Sequence, residues 1–396
     1  MIVEEPRRAR RVALALLPLG LVFLAVGVAT AVVYPFLSLF LSTEVRAGPA
    51  HVTAFLVAAP LAGVVVTSLL GRLSDRRPIR RALLIAAAGA GLLSSALTAV
   101  VRDYWALLAL AVTGTALAGA LFPQTFAYAR QVLVRDDPAR SALGITALRT
   151  VFSLAWVGGP PLAALLLTAG GFTAVYATAA VMYALAGLVA LLLLRRDEPP
   201  EPPAVRDTGT GGGPGRGRLW LSAVAFTLLQ CPLTLGPQAL PLFIAGDLGG
   251  DVADAGLILG LCAALEIPLM LGLGALSTRV RLRTLVLAGA VCGVLYEALA
   301  VAAHSVWLLA GAQVVNACFI AAVTGLGIAY LQDMLPGQPG RATTLFTNTF
   351  PVGAMLAGPL FGISQQLGFR WAYGIGTALC AAGLVVLVLT RPVRRA

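Results

Sequence analysis

Apolar residues run in long stretches along almost the whole chain, and short polar segments separate them. A helix needs about 20 mostly apolar residues to cross the hydrocarbon core of a bilayer. Stretches of that length predict twelve membrane-spanning helices, near residues 12–41, 52–70, 82–101, 105–128, 141–168, 172–194, 219–245, 253–276, 284–303, 306–331, 342–365 and 369–390. We therefore expect an all-α integral membrane protein.

The longest gap between these stretches, residues 195–218, is polar and rich in proline and glycine. Such a composition is typical of a flexible linker. It predicts two domains, a six-helix bundle at 12–194 and a second six-helix bundle at 219–391.

The two halves repeat a sequence pattern. The segment GRLSDRRPIRRALL begins at Gly71 and GALSTRVRLRTLVL at Gly274, and they share a glycine, a Leu-Ser pair, two arginines and a leucine at matching positions. In this alignment Arg80 corresponds to Arg283. Two related bundles indicate a pseudo-symmetric transporter that works by alternating access around a site near the bilayer midplane.

The composition excludes several classes of protein. Hydrophobic residues make up 59% of the chain and charged residues 11%, against about 25% charged residues in a soluble domain. A soluble enzyme, a disordered chain and a nucleic-acid binder are therefore excluded. A membrane-embedded enzyme is also not expected, because the chain has no HExxH or GxSxG motif. All five cysteines lie in the second half without metal-type spacing, so we interpret them as buried apolar residues and expect neither a metal nor a cofactor.

The placement of the 28 basic residues, all of them arginine, predicts the orientation. Segments that would face one side of the membrane hold 24 of them, and those on the other side hold three, Arg46, Arg102 and Arg370. Because cytoplasmic loops carry the excess of arginine and lysine, both termini and the linker are expected in the cytoplasm. The positive charge therefore requires no nucleic-acid partner.

The segment GRLSDRRPIRR resembles the motif that the major facilitator superfamily carries between its second and third helices. The matching residues are Gly71, Asp75, Arg76, Arg80 and Arg81, whereas Pro78 replaces the usual second glycine. A carboxylate at one helix end can bind the positive N-terminus of another helix, and arginines can pair with it. The resemblance implies a conformational latch on the cytoplasmic side. The alternative is an ordinary positive-inside loop.

A narrower resemblance covers nearly the whole chain. The segments LRTVFSLAWVGGPPLA (148–163), LEIPLM (265–270), AQVVNACFI (312–320) and YLQDMLPGQPGRATTLFTNT (330–349) are similar to the sugar efflux transporter family. The resemblance implies a proton-driven exporter of sugars or related glycosides in a bacterial cytoplasmic membrane, with both protons and a small-molecule substrate as partners. We expect a monomer. The alternative is an antiporter of the same superfamily that exports drugs or a secreted metabolite.

Three charged residues lie within predicted membrane-spanning helices, namely Arg149, Glu266 and Glu297. A charge inside a bilayer costs about 2.5–3.5 kcal/mol on insertion scales, so each is a candidate functional residue. Arg149 and Glu266 lie roughly 12 and 15 Å from the cytoplasmic surface. Because the fifth and eighth helices are neighbours in the superfamily, the two are expected to pair, with Glu266 as the proton carrier. Glu297 is expected to extend to the outer surface.

Uncharged groups complete the predicted substrate site. Arg149, Ser153 and Trp156 fall on one face of the fifth helix, and Trp156 is the one tryptophan of five that lies mid-helix. They offer a cation, a hydroxyl and an aromatic ring to a sugar. Amides suit hydroxyl recognition because each both donates and accepts, although any of them can instead join two helices. The candidate amides are Gln124, Gln230, Gln313, Asn316 and Asn348.

Overall fold

The computed structural model describes residues 4–136, 141–194, 216–335 and 338–390. Within these ranges the chain forms helices and no strand, which confirms the all-α prediction. The α-helices are α1 (Glu4–Val33), α2 (Leu37–Thr43), α3 (Pro49–Arg76), α4 (Arg80–Val100), α5 (Tyr104–Leu110), α6 (Ala116–Ala118), α7 (Leu121–Asp136), α8 (Ser141–Leu192), α9 (Arg216–Gln230), α10 (Pro232–Asp247), α11 (Val252–Leu276), α12 (Leu282–Ala302), α13 (Val306–Met334), α14 (Pro339–Leu367) and α15 (Arg370–Leu389).

Ten helical segments in the described ranges are long and apolar enough to span a bilayer. One of them, Ala147–Leu192, has 46 residues and is broken at Gly170 and Gly171. Gly171 has φ 64°, in the left-handed region that glycine adopts without steric cost. This segment therefore holds the fifth and sixth predicted helices. Helix α14 is not among the ten segments but lies at the position of the eleventh predicted helix. With the broken segment counted as two helices and α14 added, the helix order is consistent with twelve crossings.

The chain divides into two compact units at Tyr34/Pro35 and Val57/Ala58, as well as in the linker region. The first unit contains α1, the larger part of α3, and α4 to α8. The second contains α9 to α15 together with the segment Pro35–Val57. Within the second unit, the backbone N–H of Ser38 donates a hydrogen bond to the side-chain carbonyl of Gln238 (3.2 Å), and both residues are buried. Most of the predicted linker, residues 195–218, lies outside the described residues, so the bundle boundaries stay predictions.

The first unit is organised around α8, which packs along α1 and α4. Small residues allow the close approach, since a Cβ on Gly159 would lie 2.4 Å from the Cβ of Ala31. Such contacts between small residues are typical of helix packing in membranes. The buried core lies toward one end of these helices and is formed by large apolar side chains, among them Leu19, Phe23, Leu84, Leu121, Tyr128 and Leu148.

The second unit has its own core, in which α12 packs against both α13 and α15. Gly289 of α12 faces Ala322 of α13, and a Cβ on the glycine would lie 2.3 Å from the alanine Cβ. The five cysteines all belong to this unit and are free thiols, buried or half-buried. Its largest buried side chains include Phe226, Phe319, Tyr330 and Phe346.

Arginines bind the carbonyl ends of helices in both units. Arg81, at the start of α4, donates to two carbonyls at the end of α8, at 3.3 and 2.6 Å. Arg283, near the start of α12, donates to three carbonyls at the end of α15, at 2.6, 3.2 and 3.0 Å. The last carbonyls of a helix lack intrahelical donors, and a cation there also complements the helix dipole. The accepting residues are Ala190, Leu191, Thr390, Leu387 and Val388.

Candidate substrate and proton sites

The predicted polar face of the fifth helix lies on one continuous part of α8, before the break at Gly170. Arg149 is exposed, and Ser153 and Trp156 are half-buried. The Trp156 ring meets the ring of Tyr34 edge to face, with the centroids 6.1 Å apart and the planes at 69°. Two aromatic rings at this angle form a corner that can hold the C–H face of a small ring. Tyr34 was not among the predicted residues, because its contact with Trp156 joins distant parts of the sequence.

Gln124 of α7 is buried in the first unit, and its side-chain carbonyl has no hydrogen-bond partner within the described ranges. A buried acceptor without a donor is costly. An arriving hydroxyl group would supply one. The rings of Phe122, Phe126 and Phe152, all next to Phe23, lie nearby on α7 and α8.

Gln230 and Asn348, two of the predicted amides, lie in the second unit and differ in burial. The Gln230 amide donates a hydrogen bond to the Thr349 hydroxyl, and both side chains are buried. This bond joins the end of α9 to α14. Gln230 therefore links two helices, which was the alternative to substrate binding for the predicted amides. Asn348, on α14 beside Thr349, is exposed. Their binding of substrate stays a prediction.

Gln313 and Asn316 of α13 form a connected polar group. The Asn316 amide donates to the Gln313 side-chain carbonyl at 2.9 Å, and the Gln313 amide donates to the Tyr296 hydroxyl at 3.3 Å. Gln313 is buried and Asn316 half-buried. Both line a small cavity within the second unit, which Tyr296 also borders. The structure therefore brings together two of the predicted amides and adds a phenol.

Glu266 lies on α11 and is half-buried, one turn after Cys262, with which it interacts electrostatically. Arg149 belongs to the first unit and Glu266 to the second. Their pairing during transport stays a prediction.

The expectation for Glu297 was wrong. Its side chain does not extend to the surface, since the residue is only 2% exposed. It lies on α12 against Gly376 of α15 and borders the same cavity as Gln313. Proximity to the outer end of the ninth predicted helix suggested an exposed carboxylate. Gly376 on α15 was the available signal, because it leaves room beside α12 for a polar side chain.

Two residues of the predicted latch, Asp75 at the end of α3 and Arg80 at the start of α4, contact each other. Asp75 and Arg80 form an ion pair of 2.9 Å, and Arg80 also donates to the Ala127 carbonyl of α7 at 3.3 Å. The Asp75 side chain is 71% exposed, and Arg76 is exposed. Gly71 faces open space. The geometry provides the expected acid–base pairing, and its role in conformational switching stays a prediction.

Comparison with known proteins places these features in context. The sequence profile of the Major Facilitator Superfamily matches residues 19–237 and 221–396. Sugar efflux transporter A of Dickeya chrysanthemi is 35% identical over 388 residues, which cover 97% of each chain. Sugar efflux transporter B of Salmonella typhimurium is 36% identical, over 92% of this chain and 91% of that protein. Sugar efflux transporter A of Escherichia coli is 34% identical, over 94% and 95%.

Solved structures of transporters share the fold at low sequence identity. A nucleoside transporter superposes with a TM-score of 0.74 at 15% identity, covering 95% of this chain and 98% of that chain. A transporter of the POT family, solved in complex with 5-aminolevulinic acid, superposes with a TM-score of 0.77 at 13% identity, covering 95% and 96%. The helix arrangement is thus one that several membrane transporters adopt.

Proposed function

Because this chain belongs to the major facilitator superfamily and, within it, to the sugar efflux transporters, we propose that it exports sugars or related glycosides from the bacterial cytoplasm. The observation that carries the proposal is the similarity to sugar efflux transporters over nearly the full length of the chain. The protein acts as a multi-pass transporter of the inner membrane, with both termini in the cytoplasm.

The aromatic corner of Trp156 and Tyr34 supports a sugar as the substrate. A pyranose ring has an apolar C–H face and a rim of hydroxyl groups. The C–H face can stack on the indole ring of Trp156, while Ser153 lies one turn away to bind a hydroxyl group. The free carbonyl of Gln124 in the first unit and the amides Gln313 and Asn316 in the second provide further donors and acceptors.

Export against a gradient is driven by protons. In this proposal Glu266 carries the proton, and its carboxylate pairs with Arg149 in one state of the cycle. Pairing offsets part of the cost of burying each charge. Protonation of Glu266 releases Arg149, so that proton exchange is coupled to the alternation of the transporter between its two open states.

The test is transport by the purified chain in liposomes, with labelled lactose or a labelled alkyl glycoside and an imposed pH gradient. A hydrophobic cation serves as the competing drug-like substrate. We expect the sugar to accumulate against its gradient and the cation not to be transported. If the protein transports the cation but no sugar, the proposed sugar export is wrong and the protein is a drug exporter.

The variant Trp156→Ala tests the substrate site directly. We expect at least a tenfold weaker sugar affinity because the stacking contact with the indole ring is lost. A tenfold change in affinity corresponds to about 1.4 kcal/mol of binding free energy. Trp220→Ala is the matched control, because Trp220 is exposed near the start of α9. Equal affinity of the Trp156 variant and the wild type in equilibrium binding would exclude the stacking role.

A further inference from the structure

A small cavity lies inside the second unit. It is lined by Gly236 and Pro237 of α10, Tyr296 and Glu297 of α12, Gln313 of α13 and Tyr373 of α15. Its volume is about 40 Å³, which is room for about three waters. The cavity combines an acidic side chain, two phenols and two amides with space for water.

Glu297 carries the one carboxyl group that lines this cavity, and no described basic side chain forms an ion pair with it. The titratable groups that interact with it are two thiols and two phenols, all of which are uncharged acids near neutral pH. Helix α13 faces the cavity with two neutral amides, Gln313 and Asn316, and α11 faces it with Leu259. The four interacting groups are Tyr296 on α12, Cys231 between α9 and α10, and Tyr373 and Cys380 on α15. A negative charge on Glu297 would therefore have cavity water and neutral polar groups, but no described cation, to stabilise it.

The chain makes room for this carboxyl group. A Cβ on Gly376 would lie 2.3 Å from the carboxyl oxygen Oε2, so a larger residue would displace the side chain. An acceptor for a protonated carboxyl group is also present in the wall of the cavity. Pro237 has no N–H, so the carbonyl of Leu233 lacks its helical donor, and both residues line the cavity.

We propose that Glu297 is a proton-binding site of the second unit, which holds its proton while the cavity is closed and releases it when the cavity opens to water. On release, the carboxyl O–H bond breaks, the proton passes to a cavity water, and a carboxylate remains. Rebinding reverses the step, and no redox change occurs.

The same proton would control the predicted substrate amides. Gln313 donates to the Tyr296 hydroxyl and to the Leu309 carbonyl. A carboxylate in the same cavity attracts amide N–H groups, because hydrogen bonds to an ionised acceptor are stronger. Release of the proton would thus turn Gln313 or Asn316 away from the substrate. This regulatory consequence rests on the proposed sugar transport, whereas the proton site itself does not.

Infrared spectroscopy of the full-length chain in lipid nanodiscs tests the proton site without any sugar. We expect the carbonyl stretching band of a buried, protonated carboxyl group to persist at about pH 7, where exposed glutamates are ionised. In a chain that carries Glu266→Gln, so that the other proposed proton-binding carboxyl group is absent, Glu297→Gln should remove that band. Glu44→Gln, the same change at an exposed position after α2, should leave it in place. A band that is absent from the chain with Glu266→Gln alone, or that survives when Glu297→Gln is added, would overturn the proposal.

Gly376→Ala provides a second test in which Glu297 remains. The added methyl group should push the carboxyl group toward the cavity water, so that the band disappears at a pH at least about one unit lower than in the wild type. An unchanged titration would contradict the assigned site, even if Glu297→Gln fails to fold.

Sugar exchange across liposomes at equal pH on both sides tests the control of the amides. We expect the exchange rate of the wild type to depend on pH and that of Glu297→Gln to lose this dependence. A pH dependence that Glu297→Gln retains would refute the control of the substrate amides. A wild type that exchanges no sugar at any pH would refute the proposed function, while the infrared band still decides the proton site.

Discussion

Replacing Arg283 with alanine should destabilise the second unit, since this one side chain binds the carbonyl end of α15. Its guanidinium group donates to three carbonyls at distances of 2.6 to 3.2 Å, and it is half-buried. The acceptor Thr390 is buried, so water cannot fully replace the lost donor. Helix α15 packs against both α12 and α9, and weakening its end affects the core of the unit.

The magnitude follows from the contacts. One hydrogen bond to a charged group contributes about 1.5–3 kcal/mol. The three acceptors share one guanidinium group, and the more exposed carbonyls can turn to water, so we count them as a single bond of this strength. Loss of the favourable helix-dipole interaction adds about 0.3–1 kcal/mol. Together these give about 2–4 kcal/mol, which corresponds to a fall of about 4–16 °C in the Tm of a unit of this size.

The assay is thermal unfolding of the purified chain in detergent, followed by circular dichroism. Arg281→Ala is the matched control, because it removes the same charge two residues away from an exposed position. Arg283→Lys should recover only part of the stability, since an ammonium group cannot reproduce the fork of the guanidinium group. Equal Tm values for Arg283→Ala and Arg281→Ala would refute the role of the carbonyl contacts.

Three further predictions follow from individual contacts. Glu266→Gln should abolish pH-driven sugar accumulation but permit downhill exchange, and full pH-driven transport by this variant would exclude Glu266 as the carrier. Asp75→Asn breaks the ion pair with Arg80 and should slow transport with little loss of stability, since an exposed pair contributes about 0–1 kcal/mol; unaltered cysteine accessibility on the cytoplasmic side would count against the latch. Gly289→Leu should lower the Tm because it collides with Ala322, whereas Gly272→Leu, which faces open space, should not; equal Tm values would contradict the tight packing of α12 on α13.

The membrane helices could be predicted from the sequence because hydropathy and helix length depend on local residues alone. The boundary between the fifth and sixth stretches, for example, fell at Gly170 and Gly171, where the helix is broken. The face shared by Ser153 and Trp156 was predictable for the same reason, since helical periodicity places them together.

Contacts between distant parts of the chain could not be predicted. The sequence repeat matched Arg80 with Arg283, yet Arg81 is the residue that binds a helix end as Arg283 does, whereas Arg80 pairs with Asp75. A register difference of one residue changes the direction of a side chain on a helix by about 100°. The burial of Glu297 was missed because it depends on a glycine 79 positions away, on a helix that packs beside it.

The distribution of cysteine gives the two units different covalent chemistry. The first unit contains no thiol, so a single cysteine introduced there would be its unique site for a fluorophore or a spin label. In the second unit, Cys231 and Cys380 are buried beside Glu297. A small membrane-permeant alkylating reagent could modify these two residues only while the helices around them separate. Their rate of alkylation in living cells would therefore measure how often these helices separate.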